Sequence, residues 1–328
     1  MADSQDLIET FDARTRRRES RRAFFVNAVG AAAGATAFAY ASAAQAQTAV
    51  TDADILNFAL NLEYLEANFY LFAANGTGLA AADIDGITTA GAAGAATGGR
   101  KVTFTDPAVA QYAKEIAADE LAHVRFLRTA LGGARVAQPA IDLSVGVNSA
   151  FGKAAAASGL PATFDPYSTD ENFLLGAYIF EDVGVTAYKG AAPLLSSTTF
   201  IEAAAGILAV EAYHAGIVRT ALYRKGVATP ALVDATEAIS KARDALDGRP
   251  TEDLIRGIAP NDDQGIRAID TADGQASNIV PLNANGIAYS RSAAQTLNIV
   301  YLNAAAVTAG GFFPAGVNGA IKTSAAST

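Results

Sequence analysis

The chain of 328 residues has no cysteine, no tryptophan, two histidines and a single methionine, Met1. The missing thiols exclude disulfides, thiolate zinc sites, iron–sulfur clusters, a cysteine nucleophile and a lipid anchor on cysteine. Without an internal methionine, no Met can ligate a haem. Charge is scarce as well. Only 17% of residues are charged and the net charge is −9. That balance lacks the basic face that nucleic acids need, so no nucleic-acid partner is expected. Hydrophobic residues make up 51% of the chain, enough for a sizeable core. Alanine is abundant, which suits close-packed helices.

Histidine is the informative scarcity. Both histidines stand three residues after a glutamate, in Glu120-Leu-Ala-His123 and Glu211-Ala-Tyr-His214. On a helix, positions i and i+3 share a face, so each pair is a ready carboxylate–imidazole chelate. One such pair is more often a surface interaction. Two pairs that use every histidine in the chain are hard to obtain by accident. Helical bundles that hold two iron or manganese ions take one Glu-x-x-His from each of two helices and a single Glu from each of two others. Glu63 and Glu181 supply the other two.

Apolar periodicity places these residues on four helices, at 52–74, 106–131, 169–190 and 198–225. Thr51 or Asp52 can cap the first. Asp106 caps the second, with Pro107 at its first position and Gly132-Gly133 at its end. The fourth is ended by Gly226 and Pro230. Between the first two lies a Gly/Ala/Thr-rich stretch, 75–105, read as a flexible or irregular insertion. The long connection 132–168 can carry the chain from one end of a bundle to the other. A fifth helix is expected at 231–247 with a polar outer face, then an Asp/Asn/Gly-rich stretch to about 288. There Asp270, Asp273 and Gly274 hint at a calcium loop, without the spacing of an EF-hand. Ser290 is the candidate cap of a last helix running to Ala305. The apolar tail Gly310-Gly-Phe-Phe-Pro314 is expected to pack on the bundle.

The two halves repeat. Tyr70 follows Glu63 by seven residues and Tyr188 follows Glu181 by seven, nearly two helical turns. Each half then has its Glu-x-x-His helix. Glu63 precedes Glu120 by 57 residues and Glu181 precedes Glu211 by 30, a difference close to the size of the insertion. Glu66 rivals Glu63 but reads as a carboxylate on the surface or behind the ligands, and its loss is expected to matter little. Glu115 and Asp119 read as solvated-face charges.

The N-terminus reads as an address. Ser20-Arg21-Arg22-Ala23-Phe24-Phe25 resembles the twin-arginine export motif, followed by a weakly apolar stretch to Ala43. Ala44-Gln45-Ala46 fits the small-x-small cleavage rule. Residues 1–46 are therefore expected to be a signal peptide read by the twin-arginine machinery, with a periplasmic or secreted mature chain starting near Gln47. The competing reading, a transmembrane anchor, is weaker because the stretch is barely long enough and a cleavage site follows it.

The stretch 52–226 resembles the ferritin-like superfamily. Asn61-Leu-Glu-Tyr-Leu-Glu-Ala-Asn-Phe-Tyr70, Leu297-Asn-Ile-Val-Tyr301 and Gly310-Gly-Phe-Phe-Pro-Ala-Gly-Val-Asn-Gly319 resemble its desiccation-related branch. The resemblance implies an all-α fold: a four-helix bundle with a long crossover over 47–230, and a mixed helical and irregular extension over 231–328. It also implies that Glu63 and Glu181 are terminal ligands, that Glu120 and Glu211 bridge, and that His123 and His214 each serve one metal. The insertion and the extension add bulk where a ferritin cage would pack, so a cage is not expected, while a smaller homo-oligomer stays open.

Four carboxylates within apolar runs could not all stay ionised without a cation. The expected cofactor is two iron or manganese ions, since carboxylates and imidazoles make a hard O/N site. Tyr70 and Tyr188 are candidates to hydrogen-bond the ligand carboxylates, with redox participation the lesser alternative. Two function classes remain. One is a redox enzyme acting on O2, H2O2 or ferrous iron, as a ferroxidase, oxidase or catalase-like scavenger. The other is a non-catalytic envelope protein that binds metal under drying or oxidative stress.

Overall fold

The computed structural model describes residues 50–250, 252–259 and 262–327, so the expected signal segment lies outside the described residues. Helix α1 (Asp52–Asn75) opens on a capping box, in which Thr51 accepts from the Asp54 amide and the Asp54 carboxylate accepts from the Thr51 amide at 2.9 Å. After the short α2 (Ala81–Ile84), α3 (Pro107–Leu131) starts at Asp106 and Pro107 and stops at Gly132. Helix α4 (Ala150–Ala157) lies in the connection, where none was expected. Thr169 caps α5 (Asp170–Ala191) and Ser197 caps α6 (Thr198–Ala228). Helix α6 continues through Gly226, because the glycine only weakens it and the break comes at Pro230. Then come α7 (Pro230–Asp247) and α8 (Ala293–Val300). The last helix starts at Ser292 and not Ser290, which instead accepts from Lys189 Nζ at 2.6 Å.

The bundle is two tight pairs, α1 with α3 and α5 with α6, which meet through α1 against α5 and α3 against α6. By length and composition α6 could cross a bilayer. Here its face bearing Glu211, His214 and Arg219 is buried in the bundle.

Helices α1 and α5 are buried nearly all round. A helix in that state needs cover on its outer side. For α1 the cover is the insertion, the connection and the tail. Strand β1 (Ala96–Thr97) in the insertion pairs in parallel with β2 (Ile141–Asp142) in the connection. Gly94 lets the two backbones meet, since a Cβ there would strike the backbone of Ala140. The insertion is therefore irregular but held in register. Asn57 and Asn68 fasten the connection by bonds to Val136 and Gln138. Asn61 exchanges two bonds with the backbone of Asn318, at 2.8 and 2.9 Å, which seats the tail on α1. Phe312 and Phe313 are fully buried, as the apolar tail suggested. Phe312 joins Phe151, Phe180 and Phe69 in one aromatic cluster. The stretch that hinted at calcium forms a hairpin, β3 (Ile269–Thr271) with β4 (Gly274–Ala276), and Asp270 there takes a bond from Gln275.

Over α5 the cover is held by a buried ionic network. Arg219 reaches Asp182 at 2.8 Å and the carbonyls of Gly265, Asn278 and Ile279 at 2.7–2.8 Å. Arg243 stacks on the Tyr178 ring and reaches Asp182 at 3.0 Å and Asp263 at 2.6 Å. Arg291 bonds Asp247 at 2.6 Å, Asp263 at 2.7 Å and the Thr186 hydroxyl at 3.0 Å. Three arginines face Asp182, Asp247 and Asp263, and the buried Asp262 stands in the field of Arg291 as well. Removing one member of such a network leaves an uncompensated charge, at a cost of about 3–5 kcal/mol. Arg291→Met should therefore lower the stability measured by denaturant unfolding by about that much. Arg267→Met, which breaks an exposed pair with Asp234, should change it by less than about 1 kcal/mol. Equal effects of the two changes would refute the network's role.

Candidate metal centre

The four helices bring all six expected side chains to one place. Glu63 comes from α1, Glu120 and His123 from α3, Glu181 from α5, and Glu211 and His214 from α6. All six are buried. Their ligand atoms form two groups, each within 4.8 Å: Glu63, Glu120, His123 and Glu211 in one, Glu120, Glu181 and His214 in the other. Glu120 belongs to both. Both imidazoles turn Nδ1 inward. His123 Nδ1 lies 3.3 Å from Glu63 and 3.6 Å from Glu120. His214 Nδ1 lies 3.0 Å from Glu120 and 3.7 Å from Glu181. None of these approaches is aligned as a hydrogen bond.

Eight buried polar atoms in this cluster lack a hydrogen-bond partner among the described residues: both oxygens of Glu120 and Glu211, Oε2 of Glu63 and Glu181, and Nδ1 of His123 and His214. Orphaned buried groups are rare because each costs the full desolvation of that group. Their pattern carries information. Glu63 and Glu181 each keep one oxygen free, because the other accepts a hydroxyl: Tyr188 bonds Glu63 Oε1 and Tyr70 bonds Glu181 Oε1. The tyrosines thus cross over between the two halves of the repeat. Glu120 and Glu211 keep both oxygens free. One free oxygen can serve one ion and two can serve a pair, so the residues fit a two-ion group of hard cations.

Electrostatics describe the same demand. Burial, then the Glu120 charge, push the Glu63 carboxyl up to about 7. Burial pushes Glu181 up to about 8 against the opposing pull of His214. Glu211 is pushed well up by burial and by Glu120. Burial would raise Glu120 too, but the two imidazoles outweigh it and hold it at about 2. Burial acts to lower the histidines, yet the carboxylates hold His123 up at about 11 and His214 at about 9. Burial and the adjoining carboxylates push both tyrosines well above the usual phenol range, so they stay protonated donors.

Two further carboxylates adjoin the six. Glu66 is not on the surface. It is 5% exposed and burial, then the charges of Glu120, Glu181 and Glu63, push it well up. Asp119, read as a solvated-face charge, is half-buried and lies 3.2 Å from His214 Nε2. A carboxylate on the outer nitrogen of an imidazole fixes the ring and its tautomer. Arg128 and Arg219 were not singled out. Each stands five residues after its histidine, so the fuller repeat is Glu-x-x-His-x4-Arg. Arg128 bonds the Tyr64 hydroxyl at 2.7 Å and the Ala82 carbonyl at 3.1 Å, pinning the insertion as Arg219 pins the extension.

Without metal, the folded cluster holds protons that the unfolded chain releases. Stability then falls as pH rises, because the folded state binds more protons. The unfolded carboxyls ionise near 4.5 and the unfolded imidazoles near 6.5, whereas Glu63 keeps its proton to about 7, Glu181 to about 8, His214 to about 9 and His123 to about 11, so the loss should start near pH 4.5 and run to about 11. Denaturant unfolding of chelator-treated protein across that range should show it, and bound metal should flatten it. A metal-free protein equally stable at both ends would contradict this electrostatic account.

Comparison with known proteins agrees with the geometry. Residues 51–224 match the ferritin-like domain family. The chain is 33% identical over 255 residues to the desiccation-related protein PCC13-62 of Craterostigma plantagineum, covering 74% of this chain and 75% of that protein. It is 30% identical over 278 residues to the ferritin-like catalase Nec2 of Nesocodon mauritianus, covering 82% and 84%. No solved structure matches the chain at comparable significance.

Proposed function

The chain belongs to the ferritin-like family, and from that premise we propose that it binds two iron or manganese ions and carries out redox chemistry on dioxygen, peroxide or ferrous iron in stress protection. The observation that carries this reading is the set of eight partnerless buried atoms on six side chains. Glu63 and His123 would hold one ion, Glu181 and His214 the other, and Glu120 and Glu211, each with both oxygens free, would serve both, Glu211 standing nearer the first. Two redox-active ions held side by side would supply a two-electron change shared between them. The protein's own part is to exclude water, hold the carboxylates apart with Tyr70 and Tyr188, and fix His214 through Asp119. The relative named a catalase supports the peroxide reading.

A second reading is a non-catalytic metal-binding protein of the envelope, protective during drying. The relative named as desiccation-related favours it. Peroxide-consumption and ferrous-oxidation assays on the loaded protein separate the two.

The reconstituted protein should contain two ions per chain. Glu120→Ala should empty both positions, since a bridging carboxylate neutralises two cations at once and its loss leaves them to repel. His123→Ala should weaken mainly one. Metal analysis and melting temperature measure this, because binding is linked to stability. A wild-type chain that stays metal-free with both metals, or a Glu120 variant with full occupancy, would sink the two-ion reading.

We also propose export by the twin-arginine route, which suits a protein loaded before it crosses the membrane. Changing Arg21 and Arg22 to Lys should trap precursor in the cytoplasm. Unchanged export in cell fractionation would rule the address out.

A further inference from the structure

The chain covers the outer sides of α1 and α5 with its own segments, but α6 keeps an outer face bare. The apolar window that would let α6 cross a bilayer is only 33% buried. An apolar face left outside the core marks an interaction surface. This one is ordered about Tyr213, which is 73% exposed. Ala209 and Ile217 stand four residues either side of it, Gly206 and Thr220 seven, and Glu202 and Arg224 eleven. Those offsets are about one, two and three helical turns, so all seven positions share one face. All but the half-buried Ile217 are exposed. Size and charge are opposed across the centre: Gly206 against Thr220, Ala209 against Ile217, Glu202 against Arg224. A second α6 turned end for end about a two-fold axis at Tyr213 therefore sets each small residue on a larger one. It also sets each Glu202 on the partner's Arg224.

Three further observations point the same way. Lys225 is held by Asp106 and Glu171, whereas Glu202 and Arg224 form no ion pair among the described residues. Glycine inside a helix weakens it, yet a Cβ at Gly206 or Gly216 would meet nothing within 4 Å. The chain's own packing thus gives no reason for either glycine, while close approach of a second backbone does. Beside Gly216 and Thr220 lies an open groove of about 870 Å³, lined also by Tyr112 of α3 and by Ile279 and Val280, with room for a helix laid along α6. A membrane surface fits less well. Helices that lie on membranes line their polar edge with Lys and Arg, whereas this face carries one charge of each sign and the chain is acidic overall.

We propose that the outer face of α6 binds a second copy of this chain, the two helices packing antiparallel about a two-fold axis at Tyr213 and held in register by two Glu202–Arg224 pairs. The partner then gives α6 the cover that α1 and α5 take from their own chain. Opposite charges at the two ends of the face favour this register over a parallel or slipped one, which would set like charges together or leave both unpaired.

The test is analytical ultracentrifugation of the purified protein over a concentration series, with circular dichroism to verify folding. The variants are Glu202→Arg, Arg224→Glu, the two combined, and Gly206→Leu. The last should fold, since its side chain enters open space and leucine is the better helix former. The wild type should sediment as two chains. Each single charge change sets like charges together twice and should weaken the dimer by at least about tenfold. Gly206→Leu should weaken it as much by holding the helices apart. The double reversal rebuilds both pairs with opposite sign and should return Kd to within about threefold of the wild type. A wild type that stays monomeric up to roughly 100 µM, or a dimer indifferent to Gly206→Leu, overturns the inference. So does a double reversal no tighter than the single changes. A monomer that co-sediments with phosphatidylglycerol vesicles gives the face to a membrane and overturns it too. Should a charge variant not fold, Gly206→Leu decides alone. Failure on any of these counts leaves the two-ion reading standing, since none of the changed residues is among the proposed ligands.

Discussion

Like charges confined to one dry interior are the constraint on which this structure depends. Glu63, Glu66, Glu120, Glu181 and Glu211 are all buried inside a single bundle. Carboxylates gathered that closely cannot all be ionised in low dielectric unless positive charge joins them. Two histidines supply part of it when protonated, and cations fit the rest. The surroundings follow from keeping this group dry. Helices α1 and α5, which carry the single glutamates and the tyrosines, are wrapped on their outer sides by the insertion, the connection, the tail and the C-terminal segment. The wrapping explains why a four-helix site needs so long a chain.

The parts written locally in the sequence were legible. Caps such as Thr51 and Asp106, the breaks at Gly132 and Pro230, and the Glu-x-x-His spacing depend on neighbours a few residues away. The six central side chains converge as their helical phases require. Other features depend on distant partners. The insertion looks flexible by composition, yet β1 finds its partner some 44 residues on, in the connection. Asn61 and Asn318 meet across 257 residues. Glu66, read as a carboxylate either on the surface or behind the ligands, takes the inner place for a related reason. A polar residue three positions after another on a helix reads as the outer one only if the helix has an outer face, and α1 has almost none.

The repeat was the most informative pattern, and it reaches further than the ligands. Arg128 and Arg219 occupy matching places after His123 and His214, and both turn away from the centre to grip a segment laid over the bundle. The same scaffold position thus does the same job twice with different covers, residues 82–85 in one half and 264–279 in the other. Two halves with one plan and unlike outer segments would be expected if the inner geometry is constrained by charge and the outer cover only has to exclude water.

Departures from the repeat then point to where the two positions differ. Asp119 fixes His214, while the matching place in the other half is Val210, which can offer His123 no such partner. Glu66 adds a carboxylate where the other half has Gly184. The side chains gather as a group of four around His123 and a group of three around His214. The grouping differs because Glu211 leans toward His123 while Glu120 stands between both histidines. The two halves thus share one plan for the inner side chains and differ in what surrounds each histidine.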